Sequence, residues 1–261
     1  MPVAHLYRDH GIVLRTYRLG EADRIIVFIT REHGKVRAVA KGVRKTKSKF
    51  GARLEPISHV AVQFYEGREP SPASGQDRLD IVTQADSVDH FRAIREDLDR
   101  IARASAMLEA VDQMALDHEP NPRVYQMLLG ALRALAAHNG PLVVPAFFWK
   151  LLALEGFRPV VDQCASCGRA QGSQPDRSVP PTVLVAFDLE TGGALCATCR
   201  RGRSISPEAL HLMQQILGGQ LGQALNEPPS PATHEVEHLA TDALEHHLER
   251  RLRSISLLDR A

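Results

Sequence analysis

Aromatic side chains are scarce: Phe, Trp and Tyr make up 5% of the 261 residues, and there is a single Trp. A core must therefore be filled by Leu, Val, Ile and Ala, which are plentiful enough, since apolar residues reach 44%. Long apolar runs are missing too. No stretch approaches the roughly 18 consecutive apolar residues of a membrane helix, and the opening Met1–His10 lacks the apolar segment of a secretory signal. The expectation is a cytoplasmic protein with no membrane association. There is no G-x-x-x-x-G-K-[ST] loop, no G-x-S-x-G elbow and no acidic metal cluster on a plausible cleft. These absences speak against nucleotide use and against an enzyme.

Net charge is nearly absent, at +1, but it is unevenly spread. From Arg31 to Arg53 nine Lys and Arg face one acid, Glu32, for a local +8. From Asp86 to Glu119 four Arg face nine acids, for −5. A chain polarised in this way meets an anionic partner with one region only.

Residues 9–87 read as short strands. Ile12, Leu14 and Thr16 alternate with Val13, Arg15 and Tyr17, and Arg24–Thr30 is apolar enough to be covered on both faces. Glu32-His33-Gly34 reads as a turn into Lys35–Lys41, where Val36, Ala38 and Ala40 share one face and Lys35, Arg37 and Lys41 the other. Val60, Val62 and Phe64 form a fourth strand and Leu79–Thr83 a fifth, with a Pro-, Ser- and Gly-rich loop at 67–78 between them. Five strands with period-2 faces imply a small barrel.

Helical periodicity follows. Leu98, Ile101, Leu108 and Val111 share a face, as do Val124, Leu128, Ala131 and Leu135, while Pro145–Glu155 is densely apolar and expected to be central. Ser206-Pro207-Glu208 is a helix start. A last helix is expected over Thr233–Arg253, with Arg250, Arg251 and Arg253 matching the dipole at its end.

The four cysteines form two C-x-x-C pairs, Cys164/Cys167 and Cys196/Cys199, separated by 28 residues. Two such turns can aim four sulfurs at one ion, giving a closed tetrahedral site, so the favoured reading is one structural Zn2+ per chain. Redox or disulfide roles fit less well, because neither pair sits in a βαβ setting and the cytosol disfavours disulfides. A second metal pattern, His234-Glu235-Val236-Glu237-His238, matches the H-E-x-x-H of zinc proteases. It opens the last helix with only 23 residues after it, too few for a third ligand and a cleft. Three function classes stay open at this point: a nucleic-acid-binding protein, a zinc metalloprotease and a zinc-ribbon transcription factor.

The segment Lys41–Gly51 places a cationic loop after the basic-faced strand. Lys35, Arg37, Lys41, Arg44, Lys45, Lys47 and Lys49 are candidate phosphate contacts, and Phe50, Tyr17 and Tyr65 are candidate surfaces for base stacking.

Several segments together resemble the bacterial RecO family of DNA repair proteins. They are Gly11–Arg24, His33–Lys45, Phe147–Pro159 leading into Cys164 and Cys167, and Phe187–Cys199. The resemblance implies an α+β multidomain chain: an N-terminal OB-fold β-barrel over 1–85, a helical bundle over 86–160 and 204–261, and an inserted four-cysteine zinc finger over 161–203. It implies a non-enzymatic, nucleoid-associated mediator that binds single- and double-stranded DNA and anneals complementary strands. The implied partners are RecR, the acidic C-terminal tail of the single-stranded DNA-binding protein SSB, RecA and, in some members, RecF.

Overall fold

The computed structural model describes residues 5–67, 78–174 and 180–254. Of the Pro-rich loops expected at 67–78 and 171–181, residues 68–77 and 175–179 lie outside the described residues. The chain divides into two compact units, Met1–Ala137 with Arg253–Ala261, and His138–Leu252.

The first unit is built on five strands: β1 (Leu6–Leu19), β2 (Asp23–Thr30), β3 (Gly34–Ala40), β4 (His59–Tyr65) and β5 (Asp80–Asp89). They close into a barrel in the order β1-β2-β3-β5-β4. All ladders are antiparallel except a short parallel contact of Ala38 and Val39 with Asp80 and Ile81. This is an OB-like barrel, as expected from the sequence. Its interior holds Val13, Ile26, Phe28, Val36, Ala38, Val60, Val62, Phe64 and Val82. The alternation in β3 is as read from the sequence: Val36, Ala38 and Ala40 are buried, while Lys35 and Arg37 are turned outward.

In β1 the strict alternation fails. The register with β2 shifts between Val13 and Arg15, so Val13 pairs with the interior Phe28, yet Arg15 pairs with Val27 and Thr16 with the interior Ile26. One extra residue, Leu14, reverses the parity of every position beyond it. Ile12, Leu14 and Thr16 therefore do not share a face, contrary to the expectation from period 2. Opposite this bulge Ile57 adopts a φ of 75°, a strained conformation for a β-branched residue, and donates its N–H to the Val13 carbonyl at 3.0 Å.

Three helices complete this unit: α1 (Arg92–Arg95), α2 (Leu98–Met114) and α3 (Pro122–Ala137). α2 contacts β1 and α3 contacts β2. Val27 and Ile29, on the outer side of β2, are consequently buried, which accounts for a strand apolar on both faces. Leu98 departs from the expected apolar stripe. It is 76% exposed, at the first helical position after Asp97, whose carboxylate accepts the Arg100 N–H. Leu108 and Val111 are buried as expected, and Ala102, Ala106, Met107 and Ala110 complete the buried side of α2.

The second unit contains α4 (Val143–Leu154), strands β6 (Leu184–Asp188), β7 (Gly193–Cys196) and β8 (Arg203–Ser204), then α5 (Pro207–Leu217), α6 (Leu221–Ala224) and α7 (Pro231–Leu248). α4 is buried almost throughout and contacts α5 and α7, as its composition required. The ring of Trp149 meets Phe187 edge-on at 5.7 Å, tying α4 to the small sheet β7-β6-β8. α7 starts at Pro231 behind a reciprocal Ser230/Thr233 cap and stops at Leu248, where Glu249 turns left-handed at φ 52°. Arg250, Arg251 and Arg253 thus lie beyond the helix, and His246 and His247 occupy its last turn. Among the described residues no helix is long and apolar enough to cross a membrane.

His59 is buried within the first unit, its Nε2 2.7 Å from the Tyr125 hydroxyl. Burial, aided by the charges of His10 and Arg133, lowers its pKa to about 4. In the unfolded chain it protonates near its ordinary 6.5, so its contribution to stability is complete above that pH and is lost as pH falls toward 4. The loss amounts to no more than about 3 kcal/mol. Thermal unfolding between pH 7 and 4.5 should show a smaller fall in Tm for His59→Gln than for the unmodified protein; equal falls would contradict the assignment.

Candidate metal centre and nucleic-acid interface

The four cysteine sulfurs lie within 4.8 Å of one another. Zn–S bonds of about 2.3 Å in a tetrahedron put sulfurs about 3.8 Å apart, and the Cys167 and Cys196 sulfurs are 3.9 Å apart. The thiols are not paired as disulfides. The donor set and its spacing therefore fit a closed, four-thiolate metal site. Local backbone geometry creates it. At the first pair the Gly168 N–H returns to the Cys164 carbonyl at 2.8 Å, and the Cys164 N–H donates to the Arg169 carbonyl at 2.8 Å. At the second the Cys199 N–H donates to the Cys196 carbonyl at 3.1 Å. β7 then brings the pairs together, because the Ala165 N–H donates to Ala194 and the Ala194 N–H to Val160, both at 2.8 Å. Gly193 is needed at this junction: a Cβ there would come within 2.6 Å of the Val160 carbonyl oxygen.

Burial alone would raise the Cys164 thiol's pKa, but backbone N–H groups of Cys196, Cys167 and Ser166 favour the thiolate and bring it down to about 6. The Cys196 N–H lies 3.4 Å from the Cys164 sulfur. Such donors suit a sulfur that carries negative charge in a metal site. Of the arginines near the cysteines, Arg201 pairs with Asp188 at 3.1 Å and Arg203 with Asp242 at 2.9 Å.

The cationic loop between β3 and β4 has defined anchors. Its Gly42 N–H donates to the Asp23 carboxylate at 2.7 Å, and the Arg44 N–H to the Ala22 carbonyl at 3.0 Å. The Arg44 guanidinium caps the Glu21 and Gly20 carbonyls at 2.8 and 3.2 Å, locking the loop onto the β1–β2 turn. At the far end Phe50 is buried in the barrel core with Leu54. Phe50 is therefore an anchor and not the stacking surface its sequence position suggested. Along this loop Lys41, Arg44, Lys45, Lys47 and Lys49 are exposed. The Lys49 ammonium rests on the Thr83 carbonyl at 2.8 Å.

Lys35 and Arg37 do not belong to this display. Both are half-buried on the outer face of β3. The Lys35 ammonium donates to the Asp112 carbonyl at 2.9 Å and pairs with Asp117 at 3.2 Å, with 14% of its side chain exposed. It is committed to holding the end of α2 against the barrel. The contact is close: a Cβ on Gly34, whose φ is +69°, would lie 2.1 Å from the Glu119 carbonyl oxygen.

A family model described as Recombination protein O N terminal matches residues 3–91, and one described as Recombination protein O C terminal matches residues 95–255. The chain belongs to the recombination protein O (RecO) family. That membership places it in DNA repair and recombination, in a family of recombination mediators that are not known catalytic enzymes.

In this RecO-family chain the H-E-x-x-H segment has another use. The Glu235 carboxylate accepts from the Ser206 N–H at 2.9 Å and from its hydroxyl at 2.6 Å, at the start of α5. His234 faces Glu237 at 3.6 Å. The cysteines are the one cluster of potential metal ligands among the described residues. Sequence reasoning missed Arg15, which bonds Asp112 at 2.8 Å and lies 4.8 Å over the Tyr17 ring. Its outward direction depends on the bulge, which left no periodic signal.

Metal analysis should find one zinc per chain, reduced to near zero by Cys164→Ser with Cys199→Ser. Glu235→Gln should leave zinc content unchanged while weakening the α5 start by about 1 kcal/mol; loss of metal with Glu235→Gln would reverse the assignment.

Proposed function

We propose that this RecO-family protein is a DNA-binding recombination mediator that grips single- and double-stranded DNA through the anchored loop of Lys41, Arg44, Lys45, Lys47 and Lys49. One observation carries the reading: five exposed cations are displayed on a loop whose two ends are fixed to an OB-like barrel. Among the described residues, no ion pair or hydrogen bond engages the ammonium groups of Lys41, Lys45 or Lys47. Such groups can neutralise phosphates without first breaking internal contacts, and the release of condensed counterions supplies affinity. Fixing the loop in advance also lowers the ordering cost of binding.

Annealing of complementary strands follows from the same physics, since neutralising phosphates on two strands weakens their mutual repulsion. With RecR, and with RecF where present, the protein would then help RecA load onto strands coated by SSB, whose acidic C-terminal tail would contact the helical part. Cys164, Cys167, Cys196 and Cys199 would hold one Zn2+, which supplies cross-linking of the small sheet and no reaction chemistry. The setting is the bacterial cytoplasm, at the nucleoid, and neither nucleotide nor membrane takes part.

Fluorescence anisotropy with a labelled oligonucleotide, titrated over salt, tests the reading. Five phosphate contacts on a single strand give a slope of log K against log[salt] of about −3.5. Lys41→Glu, Lys45→Glu and Lys47→Glu together should flatten the slope and cut affinity at least tenfold. A flat wild-type slope, or a triple variant that binds as before, would remove the proposal.

A further inference from the structure

Lysine is rare in this chain and almost confined to one place. Of the 32 basic residues, six are Lys and 26 are Arg. Five of the six, Lys35, Lys41, Lys45, Lys47 and Lys49, fall within 15 residues, and Lys150 stands apart. On the loop after β3 the chain's preference is reversed, with four Lys beside one Arg, Arg44. Phosphate contact alone does not account for this, since Arg offers a phosphate two parallel hydrogen bonds and Lys a point charge. What Lys has and Arg lacks is a primary amine that loses its charge on acylation.

The six amines differ in availability. The Lys35 ammonium donates to the Asp112 carbonyl and pairs with Asp117. That of Lys49 donates to the Thr83 carbonyl at 2.8 Å and lies 5.0 Å over the Phe50 ring. Lys150 is half-buried on α4. Lys41, Lys45 and Lys47 are exposed, with ammonium groups that no ion pair or hydrogen bond engages among the described residues. An amine held as a donor keeps its proton and has no lone pair to give, whereas a solvated one exchanges that proton with water. The backbone beneath these three is fixed. The Lys45 N–H donates to the Gly42 carbonyl at 3.1 Å and the Ser48 N–H to the Lys45 carbonyl at 2.9 Å, so successive turns shorten the segment, and Val43 packs against the barrel core. Cations concentrated in this way raise the local concentration of small anions.

We infer that Lys41, Lys45 and Lys47 are sites of Nε-acylation by an acyl phosphate, a modification that lowers the loop's grip on phosphates. The consequence rests on the DNA-binding reading above; the chemistry does not. An acyl phosphate joins an electrophilic carbonyl to an anionic phosphate, and the cationic loop draws that phosphate by the same attraction it exerts on any other. The ammonium first gives a proton to water. The neutral nitrogen then forms a C–N bond to the acyl carbon, the C–O bond to phosphate breaks, and one amine proton leaves with the phosphate as hydrogen phosphate. The amide that remains is uncharged. Arg44 and Lys49 are left as the loop's cations, while the bond from the Gly42 N–H to Asp23 and the buried Phe50 are untouched. The loop thus keeps its shape and loses most of its charge.

The test treats the full chain with acetyl phosphate or with a neutral acetyl ester of N-hydroxysuccinimide, and follows each lysine by peptide mass spectrometry. With acetyl phosphate, Lys41, Lys45 and Lys47 should react about tenfold faster than Lys35, Lys49 and Lys150, and added salt should shrink that advantage. With the neutral ester the rates should not respond to salt. Fluorescence anisotropy then reads the consequence: with two loop cations left, the slope of log K against log[salt] for a single strand should move from about −3.5 to about −1.4. In a chain carrying Lys41→Arg, Lys45→Arg and Lys47→Arg, affinities before and after acetyl phosphate treatment should agree. Equal rates at all six lysines, or rates indifferent to the donor's charge and to salt, overturn the inference, and neither result needs a variant to fold. A steep slope that survives acylation of the three overturns it as well. Acylation at these lysines in a chain whose slope is flat before treatment would defeat the DNA reading and the regulatory consequence, and leave the modification sites standing.

Discussion

The length of β1, and the bend it must make, is the constraint on which the barrel depends. Fourteen residues pair with β4 through Leu6–Ile12 and with β2 through Gly11–Leu19, so a single strand closes the barrel on both sides. A strand that changes neighbours half-way along must twist sharply, and an inserted residue at Leu14 supplies the twist. The consequence reaches the surface. By reversing the parity beyond Val13, the bulge turns Arg15 and Tyr17 outward beside Val27 and Ile25, and brings Thr16 over the interior. Ile57, held at positive φ against Val13, is the strained counterpart that keeps the bulge in place.

The same barrel sorts its cations by what they touch. Arg15 and Lys35 are neutralised by Asp112 and Asp117 at the end of α2, and Arg24 by Glu55 at 2.7 Å. Burial raises the pKa of Asp112, and the charges of Arg15 and Lys35 oppose that rise. The loop cations have no such partners among the acids of the described residues, and their backbone is held at Asp23, Ala22 and the Phe50 anchor. Part of the local charge excess thus secures the fold, and the remainder is displayed. A count of charges along the chain cannot separate these two uses.

In the second unit the dependence is on α4 and the sheet that carries the cysteines. Trp149 and Phe187 join them, and the Glu235 carboxylate fixes the start of α5 from α7. The two C-x-x-C turns need little from elsewhere. The hydrogen bonds that shape each turn lie within a few residues of its cysteines, and the bonds of Val160 and Ala165 to β7 bring the two pairs together.

Features governed by neighbours in the chain were legible in the sequence. They include the alternation of Val36, Ala38 and Ala40, the apolar α4, the Ser206-Pro207 helix start and the metal-ready spacing of the four cysteines. Family membership was legible as well, because it is carried by the succession of such segments. The interior facing of Thr16, the burial of Phe50, the exposure of Leu98 and the retirement of Lys35 from the displayed charge were not. Three are set by partners remote in sequence: Ile26 across a bulged ladder for Thr16, the barrel core for Phe50, and the close approach of Glu119 to Gly34 for Lys35; the exposure of Leu98 goes with its place at the start of α2. Local composition fixes what a residue can do, through its size, charge and backbone preference. Only the closed barrel, by choosing which strand lies opposite which, decides where the residue points and which of its possible partners it meets.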